Sequence, residues 1–254
     1  MMFMKSSKKG WKGKERKYDD VIMKDARESD IIIPILGATG VGKSTFINAV
    51  AGKKVAVVGH DLQSCTTRLC HVAVPCPSDR SRRIIFVDTP GFDDTYIDDL
   101  EILRRIAVWL AYSYSKDARV AGIIHLHEIS QNRMYGSTRK NFTIINKLCG
   151  TEACQNVMLV TTKWQDVSET LGRKHEEQLR STFWKDMIGQ GSRMARFQND
   201  THSAWEIIKD ILPKSPVPLQ IQRELVDEDK MTPETDAGAS LKLLAESNQS
   251  MNRR

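Results

Sequence analysis

One stretch of eight residues restricts the possible folds of this chain more than any other feature. In chain order, its residues are Gly37, Ala38, Thr39, Gly40, Val41, Gly42, Lys43 and Ser44. Their spacing is G-x-x-x-x-G-K-[ST], which is typical of a loop that wraps the phosphates of a nucleotide. The apolar run 31–36 before the loop predicts a buried parallel strand, and residues 45–50 after it predict a helix. A chance glycine-rich turn is the alternative, but it does not account for strand, Lys-Ser pair and helix together.

The residue types of this loop suit the chemistry of phosphate binding. Its three glycines allow backbone conformations that turn successive N–H groups toward phosphate oxygens. The helix that follows directs the positive end of its dipole at the same anion. We therefore expect Lys43 to contact the β- and γ-phosphates, Ser44 to bind Mg²⁺, and Thr45 to complete the nucleotide-binding loop.

A second motif, Asp88-Thr89-Pro90-Gly91, follows the apolar run 84–87. A carboxylate that ends a strand lies at the carboxyl edge of the sheet, where open α/β sheets bind their ligands. We expect Asp88 to hold Mg²⁺ through a water, and the Gly91 N–H to contact the γ-phosphate. Phe92 comes next, where some nucleotide hydrolases carry a glutamine that orients the attacking water. No hydrolytic side chain is therefore visible at that position.

The segment between these two motifs contains a polar loop that we expect to pass over the nucleotide. Its Thr66 and Thr67 carry hydroxyls suited to a second Mg²⁺ contact that exists only while a γ-phosphate holds the loop shut. We favour Thr66 for this role. The alternative is that both residues simply open the next strand, predicted over 69–74. Lys43, Thr66 and Gly91 are thus the catalytic candidates, and Ser44, Thr66 and Asp88 are the metal candidates.

The base-reading motif is less regular. Guanine-specific proteins use [NT]-K-x-D after a strand, and here the predicted strand 156–161 leads into Thr162-Lys163-Trp164-Gln165-Asp166. Thr162 and Lys163 match the pattern, but Gln165 stands where the guanine-reading carboxylate belongs, and Asp166 follows one residue later. Either Gln165 or Asp166 is expected to contact the base. The loop 199–204 is a further candidate, although Ser203 also suits an N-cap for a helix over 204–212.

The order of these predicted elements indicates an α/β fold. We predict a three-layer P-loop domain over residues 30–213, with a mainly parallel β-sheet flanked by helices. It includes an amphipathic helix over 173–188 and a last strand over 194–197. Residues 1–29 are predicted to be a basic disordered arm and lead-in. Residues 214–254 are predicted to be a helical extension, with helices near 219–226 and 239–245, which folds back on the domain or pairs with a partner.

The net charge of +6 is concentrated at one end of the chain. Residues 5–17 contain seven basic residues and one acidic residue, so the rest of the chain is formally neutral. The body therefore has no basic signature for nucleic acid, and we do not expect nucleic acid as a partner. No run of about 18 apolar residues predicts a membrane span. Five cysteines without paired C-x-x-C spacing are typical of reduced thiols, which indicates a cytoplasmic protein.

Taken together, residues 30–212 resemble translation-factor-class GTPases. The resemblance is to the branch that holds septins, immune-associated nucleotide-binding proteins and chloroplast outer-envelope import receptors. It rests on the phosphate loop with residues 45–48, the run 64–67 and the motif 88–91. Residues 125–134, 160–164 and 196–205 are especially similar to fungal G domain-containing proteins of unassigned role.

The resemblance implies binding of GTP, GDP and Mg²⁺, slow hydrolysis of GTP, and pairing of two G domains across the nucleotide. We therefore predict a GTP-binding switch protein that depends on a second protomer or another partner for catalysis. Arg133 is a candidate for reaching a phosphate across such a dimer, with a plain surface arginine as the alternative. The rival functions are a nucleotide-gated assembly protein with negligible hydrolysis and an ATP-using P-loop enzyme.

Overall fold

A six-stranded sheet forms the middle layer of the computed structural model, which describes residues 27, 29–56, 69–92, 97–134 and 136–251. The strands are β1 Ile31–Leu36, β2 Cys70–Cys76, β3 Asp79–Asp88, β4 Ile123–Glu128, β5 Val157–Thr162 and β6 Arg193–Arg196. They lie in the order β2-β3-β1-β4-β5-β6. Only β2 is antiparallel to its neighbour, so the sheet is mainly parallel, as predicted.

Eight helices accompany the strands within the described residues. They are α1 Lys43–Ala51, α2 Asp99–Ser115, α3 Gly136–Cys149, α4 Glu169–Gln178, α5 Lys185–Gly189, α6 Thr201–Lys209, α7 Gln220–Val226 and α8 Asp236–Met251. Within the described ranges, none of them has the length and apolarity needed to cross a bilayer.

The sheet is covered on both faces, because every residue of the central strand β1 is apolar and buried. Successive strand residues point to opposite faces. Ile32 and Leu36 of β1 accordingly join one buried cluster, with α2, α3, α7 and α8. Ile33 and Ile35 join a second cluster, with α1 and α6. This arrangement confirms the predicted three layers.

Parallel pairing brings the carboxyl ends of the strands to one edge. β1 pairs with β3 so that Ile35 lies opposite Asp88, and β4 pairs with β5 so that Glu128 lies opposite Thr162. The phosphate loop, the Asp88 motif and the base motif all follow these strand ends. The sheet therefore gathers the three predicted motifs at a single edge.

Several predicted element boundaries are wrong. The helix predicted over 173–188 is instead α4, a π-helical turn over Leu179–Phe183, and the short α5. The helix predicted from residue 204 begins at Thr201, because the Asp200 side chain caps it by accepting a hydrogen bond from the Ser203 N–H. Ser203 is therefore not the N-cap. The helix predicted over 239–245 is the longer α8.

The chain after residue 213 packs on the sheet's helical layer. Leu219, Ile221 and Leu225 lie in the same buried cluster as α2 and α3, and Leu241 of α8 joins them. Glu224 of α7 is fully buried, pairs with Lys230 and accepts a hydrogen bond from the Asp236 N–H at 3.0 Å. These contacts fix both C-terminal helices against the body of the molecule.

Candidate nucleotide site

The phosphate loop connects β1 to α1 and has the backbone geometry that its glycines predict. Gly40 and Gly42 have φ values of 81° and 100°, which L side chains rarely adopt, and Gly42 occupies the N-cap of α1. A side chain at Gly37 would bring its Cβ within 2.6 Å of the Leu126 carbonyl oxygen. Thr39 and Gly40 are exposed at the tip of the loop. The loop thus needs glycine both for its conformation and for its contact with β4.

Lys43 is buried, and its ammonium lies within the loop. Its Nζ donates to the carbonyl oxygens of Gly37 and Ala38 at 3.2 and 2.9 Å. The loop carbonyls therefore hold the positive charge beside the N-terminus of α1, where the helix dipole also favours an anion. Val41 and Thr45 flank this position, Val41 in the core and Thr45 half-buried.

Ser44 and Asp88 meet although they are far apart in sequence. The Ser44 hydroxyl donates to Asp88 Oδ2 at 2.7 Å, and Asp88 Oδ1 is buried without a hydrogen-bond partner among the described residues. Burial raises the pKa of Asp88, against the opposing effects of the Ser44 hydrogen bond and the Lys43 charge. An oxygen pair with one unsatisfied carboxylate oxygen fits a hard cation such as Mg²⁺. Ser44 and Asp88 are therefore the described residues suited to hold it.

The segment after Asp88 lies directly on the phosphate loop. The Thr39 N–H donates to the Phe92 carbonyl oxygen at 3.1 Å. A Cβ at Gly91 would lie 2.4 Å from the Thr39 nitrogen, so only glycine permits this approach. The Phe92 side chain is fully buried in the core and does not orient water. The predicted loop with Thr66 and Thr67 lies outside the described residues.

The base motif is tied to the phosphate loop by its first residue. The Thr162 hydroxyl donates to the Val41 carbonyl oxygen at 2.8 Å. Lys163 has a left-handed backbone with φ of 58°, and its Nζ pairs with Glu128 Oε2 at 2.8 Å. The structure thus brings Thr162 and Lys163 beside the loop, as the sequence predicts.

Gln165 and Asp166 both lie on the exposed side of a short 3₁₀ turn, Trp164–Asp166. The structure places them next to one another and does not decide which of them meets a base. Asn199 has a φ of 62° in the loop before α6, a conformation that asparagine tolerates better than most residues. The segment 199–203, which spans the end of this loop and the first turn of α6, is a further candidate for a base contact.

Sequence reasoning missed the role of Glu128. Burial disfavours its charge, but hydrogen bonds from Lys163 and Ser130 outweigh this effect and hold its pKa below the ordinary value. Its carboxylate fixes the Lys163 ammonium at the carboxyl edge of β4. The available signal was a carboxylate two residues after the largely apolar run 120–126.

Comparison with known proteins identifies a family that matches this chain. A family model described as 50S ribosome-binding GTPase matches residues 32–163, more than half of the chain. GTPase Era of Erythrobacter litoralis is 37% identical over 60 residues, covering 24% of this chain and 20% of the relative. GTPase Era of Ureaplasma urealyticum is 30% identical over 132 residues, covering 52% of this chain and 39% of the relative. The chain therefore spans less than half the length of these relatives.

Solved structures share the fold at low sequence identity. A crystal structure of Toc33 from Arabidopsis thaliana, a dimerization-deficient mutant, is 19% identical, with a TM-score of 0.55 and coverage of 68% of this chain and 72% of that one. Era in complex with MgGDPNP and nucleotides 1506–1542 of 16S ribosomal RNA is 17% identical, with a TM-score of 0.51 and coverage of 74% and 58%.

These comparisons refine the predicted resemblance. The likeness to Toc33, at 19% identity, shows the fold alone, whereas the Era relatives point to a branch that the sequence analysis did not name. They give no support to the septin or immune-associated branches. With the phosphate loop, the Asp88 motif and the first half of the base motif all inside the matched region, the chain belongs to the 50S ribosome-binding GTPase family, and its fold is that of a P-loop GTPase domain.

Proposed function

We propose that this protein is a GTP-binding switch that hydrolyses GTP slowly in the presence of Mg²⁺. The observation that carries the proposal is the meeting of Ser44 and Asp88 at 2.7 Å beside the buried Lys43 ammonium. This arrangement supplies a cation site and a fixed positive charge at the mouth of one glycine-rich loop. Transfer of a phosphoryl group requires both the cation and the positive charge.

Each predicted residue has a role in this proposal. Lys43 and the loop N–H groups stabilise charge that develops on the phosphoryl oxygens. Ser44 and Asp88 hold Mg²⁺, and Thr66 adds a second hydroxyl when GTP is bound. Gly91 lies against Thr39, so its N–H is at the loop that receives the γ-phosphate.

Guanine is the proposed base because Thr162 and Lys163 keep the guanine pattern and are anchored to Val41 and Glu128. Gln165 and Asp166 are both exposed and both remain candidates for the base contact. A glutamine supplies a neutral acceptor, whereas an aspartate supplies a charged one.

Slow hydrolysis with help from a second protomer is proposed from two features of the site. Phe92 is buried, so the position after Gly91 offers no polar side chain to the attacking water. Arg133 is exposed, and no ion pair joins it to another described residue. Among proteins of this fold, a structure of the chloroplast components atToc33 and psToc159 is described as showing that dimerization is important for GTPase activity.

Two further parts of the proposal concern partners and location. The neutral body of the chain supports a protein partner rather than nucleic acid, although Era, which shares the fold over 58% of its chain, is described in complex with 16S ribosomal RNA. A cytoplasmic location is proposed from the unpaired cysteine spacing.

Steady-state turnover of GTP, measured per protomer across a wide range of protein concentration, tests the proposal. In dilute protein we expect turnover on the order of 10⁻³ s⁻¹ or slower, rising with concentration as protomers pair. Arg133→Ala should lower the concentration-dependent part at least about tenfold. Arg180→Ala, at another exposed arginine, is the control and should behave as wild type.

Other outcomes would redirect the proposal. Fast turnover in dilute monomer would contradict the dependence on a partner. An absence of turnover at every concentration, together with dimers that form only with a GTP analogue, would favour the assembly protein. Equal turnover of ATP and GTP would remove the guanine assignment.

A further inference from the structure

Arg196 ends β6 and holds two acidic residues of α4. Its Nε and Nη2 donate to the two carboxylate oxygens of Glu176 at 2.9 and 2.5 Å, and its Nη1 donates to Glu169 Oε1 at 3.1 Å. The two bonds to Glu176 form the parallel fork that only a guanidinium offers to a carboxylate. Arg196 therefore fixes the position of α4 relative to the end of β6.

The same guanidinium lies over the indole of Trp164. The distance from Arg196 Cζ to the centre of the ring is 4.0 Å, well within the range of a cation–π contact. The indole N–H donates to the Thr161 hydroxyl at 3.0 Å. A Cβ at Gly172 of α4 would lie 2.6 Å from the ring, so glycine is needed for α4 to pack closely against it. These contacts leave Trp164 only 7% exposed.

Trp164 is the residue between the two halves of the base motif. Lys163 precedes it and Gln165 follows it, and the short turn Trp164–Asp166 carries both candidates for the base contact. The flanking backbone cannot move far without moving the indole. Arg196 thus contacts, at Trp164, the same turn that carries Gln165 and Asp166.

Gln165 stands where the common motif has its charged guanine reader, and the carboxylate of this turn, Asp166, lies one residue later. A neutral acceptor forms a weaker hydrogen bond with the base than a carboxylate does. Ordering a loop costs free energy on binding, so a loop that is already ordered contributes to affinity. A fixed turn therefore either offsets the weaker hydrogen bond of Gln165 or holds the displaced carboxylate of Asp166 where it meets the base.

We propose that Arg196 is a positioning residue for guanine recognition, acting through its contact with Trp164. The inference rests on the proposed function, since it assigns a determinant of base choice to the same site. It predicts that Arg196 affects the discrimination of the base more than it affects the stability of the fold.

The test compares Arg196→Lys with Arg173→Lys in the full chain. Lysine keeps the positive charge but loses both the fork to Glu176 and the planar stack on Trp164. Arg173 is the matched control because it also pairs with Glu169, at 2.7 Å, while its side chain is 70% exposed. Affinities for GDP, inosine diphosphate and ADP are measured by titration calorimetry with Mg²⁺, and unfolding temperatures are measured on the same samples.

We expect Arg196→Lys to weaken GDP binding about tenfold. Binding of inosine diphosphate, which lacks the 2-amino group of guanine, should weaken less, so the ratio of the two Kd values should move toward one. Arg173→Lys should leave both affinities and their ratio unchanged. Glu176→Gln keeps the shape of the side chain but removes its charge and one of the two acceptor oxygens of the fork, and it should shift the ratio in the same direction by a smaller factor.

The outcomes separate this inference from the proposed function. If wild type binds GDP and ADP equally, the proposed function fails. If wild type prefers GDP and Arg196→Lys keeps the same Kd ratio, the inference is overturned. An equal loss of affinity for all three nucleotides with a lower unfolding temperature would also overturn it, because it would show a structural role only.

Discussion

At the scale of single residues, Asp88 shows a conflict between binding and stability. It is 2% exposed, and one of its carboxylate oxygens has no hydrogen-bond partner within the described part of the chain. Burial raises its pKa, although Ser44 and Lys43 oppose the effect. A buried charge with an unsatisfied oxygen destabilises the metal-free fold. The cation that we assign to this site would remove that cost.

Asp88→Asn is expected to stabilise the protein in the absence of metal and nucleotide. A carboxyl whose pKa is raised on folding binds more protons in the folded than in the unfolded chain, so stability falls as pH rises above about 4. Asparagine does not ionise, so it removes this loss of stability, and its side-chain oxygen still accepts the Ser44 hydrogen bond. Each 1 kcal/mol gained should raise the unfolding temperature by about 2–4 °C. Thermal unfolding in chelator between acidic and neutral pH measures the difference.

The control for this prediction is Asp166→Asn, at an exposed aspartate, which should leave the unfolding temperature unchanged. The same Asp88→Asn protein should lose the contribution of Mg²⁺ to nucleotide affinity. A variant less stable than wild type in chelator would show that Asp88 is a structural anchor and that the conflict does not exist.

At the scale of elements, β4 carries two histidines on one face of the sheet. His125 and His127 both contact the buried Trp184, with ring centres 6.2 and 5.7 Å apart. Burial lowers the pKa of His125 to about 3, and His127 and Lys43 add to the effect. Burial lowers the pKa of His127 to about 4, with Glu128 opposing and His175 reinforcing the shift. Both imidazoles are therefore neutral in the folded protein at neutral pH.

We expect the protein to lose stability as pH falls below about 6.5, the ordinary pKa of histidine. In that range both histidines are protonated in the unfolded chain but stay neutral in the folded chain. Each histidine therefore contributes up to about 1.4 kcal/mol per pH unit to the slope of the free energy of unfolding against pH. The loss continues until pH reaches the folded pKa values. Urea denaturation at a series of pH values measures the slope. His125→Gln should remove one histidine's share of it.

His202→Gln, at an exposed position of α6, is the matched control and should keep the wild-type slope. An unchanged slope in His125→Gln would contradict the assignment of this pH dependence to β4.

At the scale of the whole molecule, the C-terminal helices share the core of the GTPase domain. Leu225 of α7 is 1% exposed and belongs to the cluster that contains α2 and α3. The boundary at residue 213 remains a prediction. The buried contacts between residues on either side of this boundary indicate that α7 and α8 stabilise the GTPase domain rather than bind a partner protein.

Leu225→Ala is expected to lower the free energy of unfolding by about 2–5 kcal/mol, because it removes buried methyl groups and leaves a cavity. Leu243→Ala, on α8 at 66% exposure, should change it by less than about 0.5 kcal/mol. Urea denaturation followed by circular dichroism measures both. A single transition shifted by Leu225→Ala would show one cooperative unit, and a neutral effect would show that residues 214–251 unfold separately.

Much of the fold was predictable because its strongest signals are local. Glycines, a Lys-Ser pair and apolar runs specify strand, loop and helix within a few neighbouring residues, and the three layers follow from their order. The helix over 173–188 was predicted wrongly because amphipathic spacing continues through the π-helical turn Leu179–Phe183. The capping of α6 by Asp200 was missed because Ser203 is an equally good cap in isolation.

The sequence by itself determined the phosphate loop, the succession of strands and helices along the chain, and the P-loop GTPase class, since each depends on backbone preferences and residue types at short range. Tertiary structure alone decided that Ser44 meets Asp88, that Lys163 pairs with Glu128 and that Arg196 covers Trp164. These partners lie on different elements, and their meeting depends on the register of parallel strands and the packing of α4. Local preferences do not encode register, because hydrogen bonds between strands and the burial of side chains on both faces select it only when the whole sheet assembles.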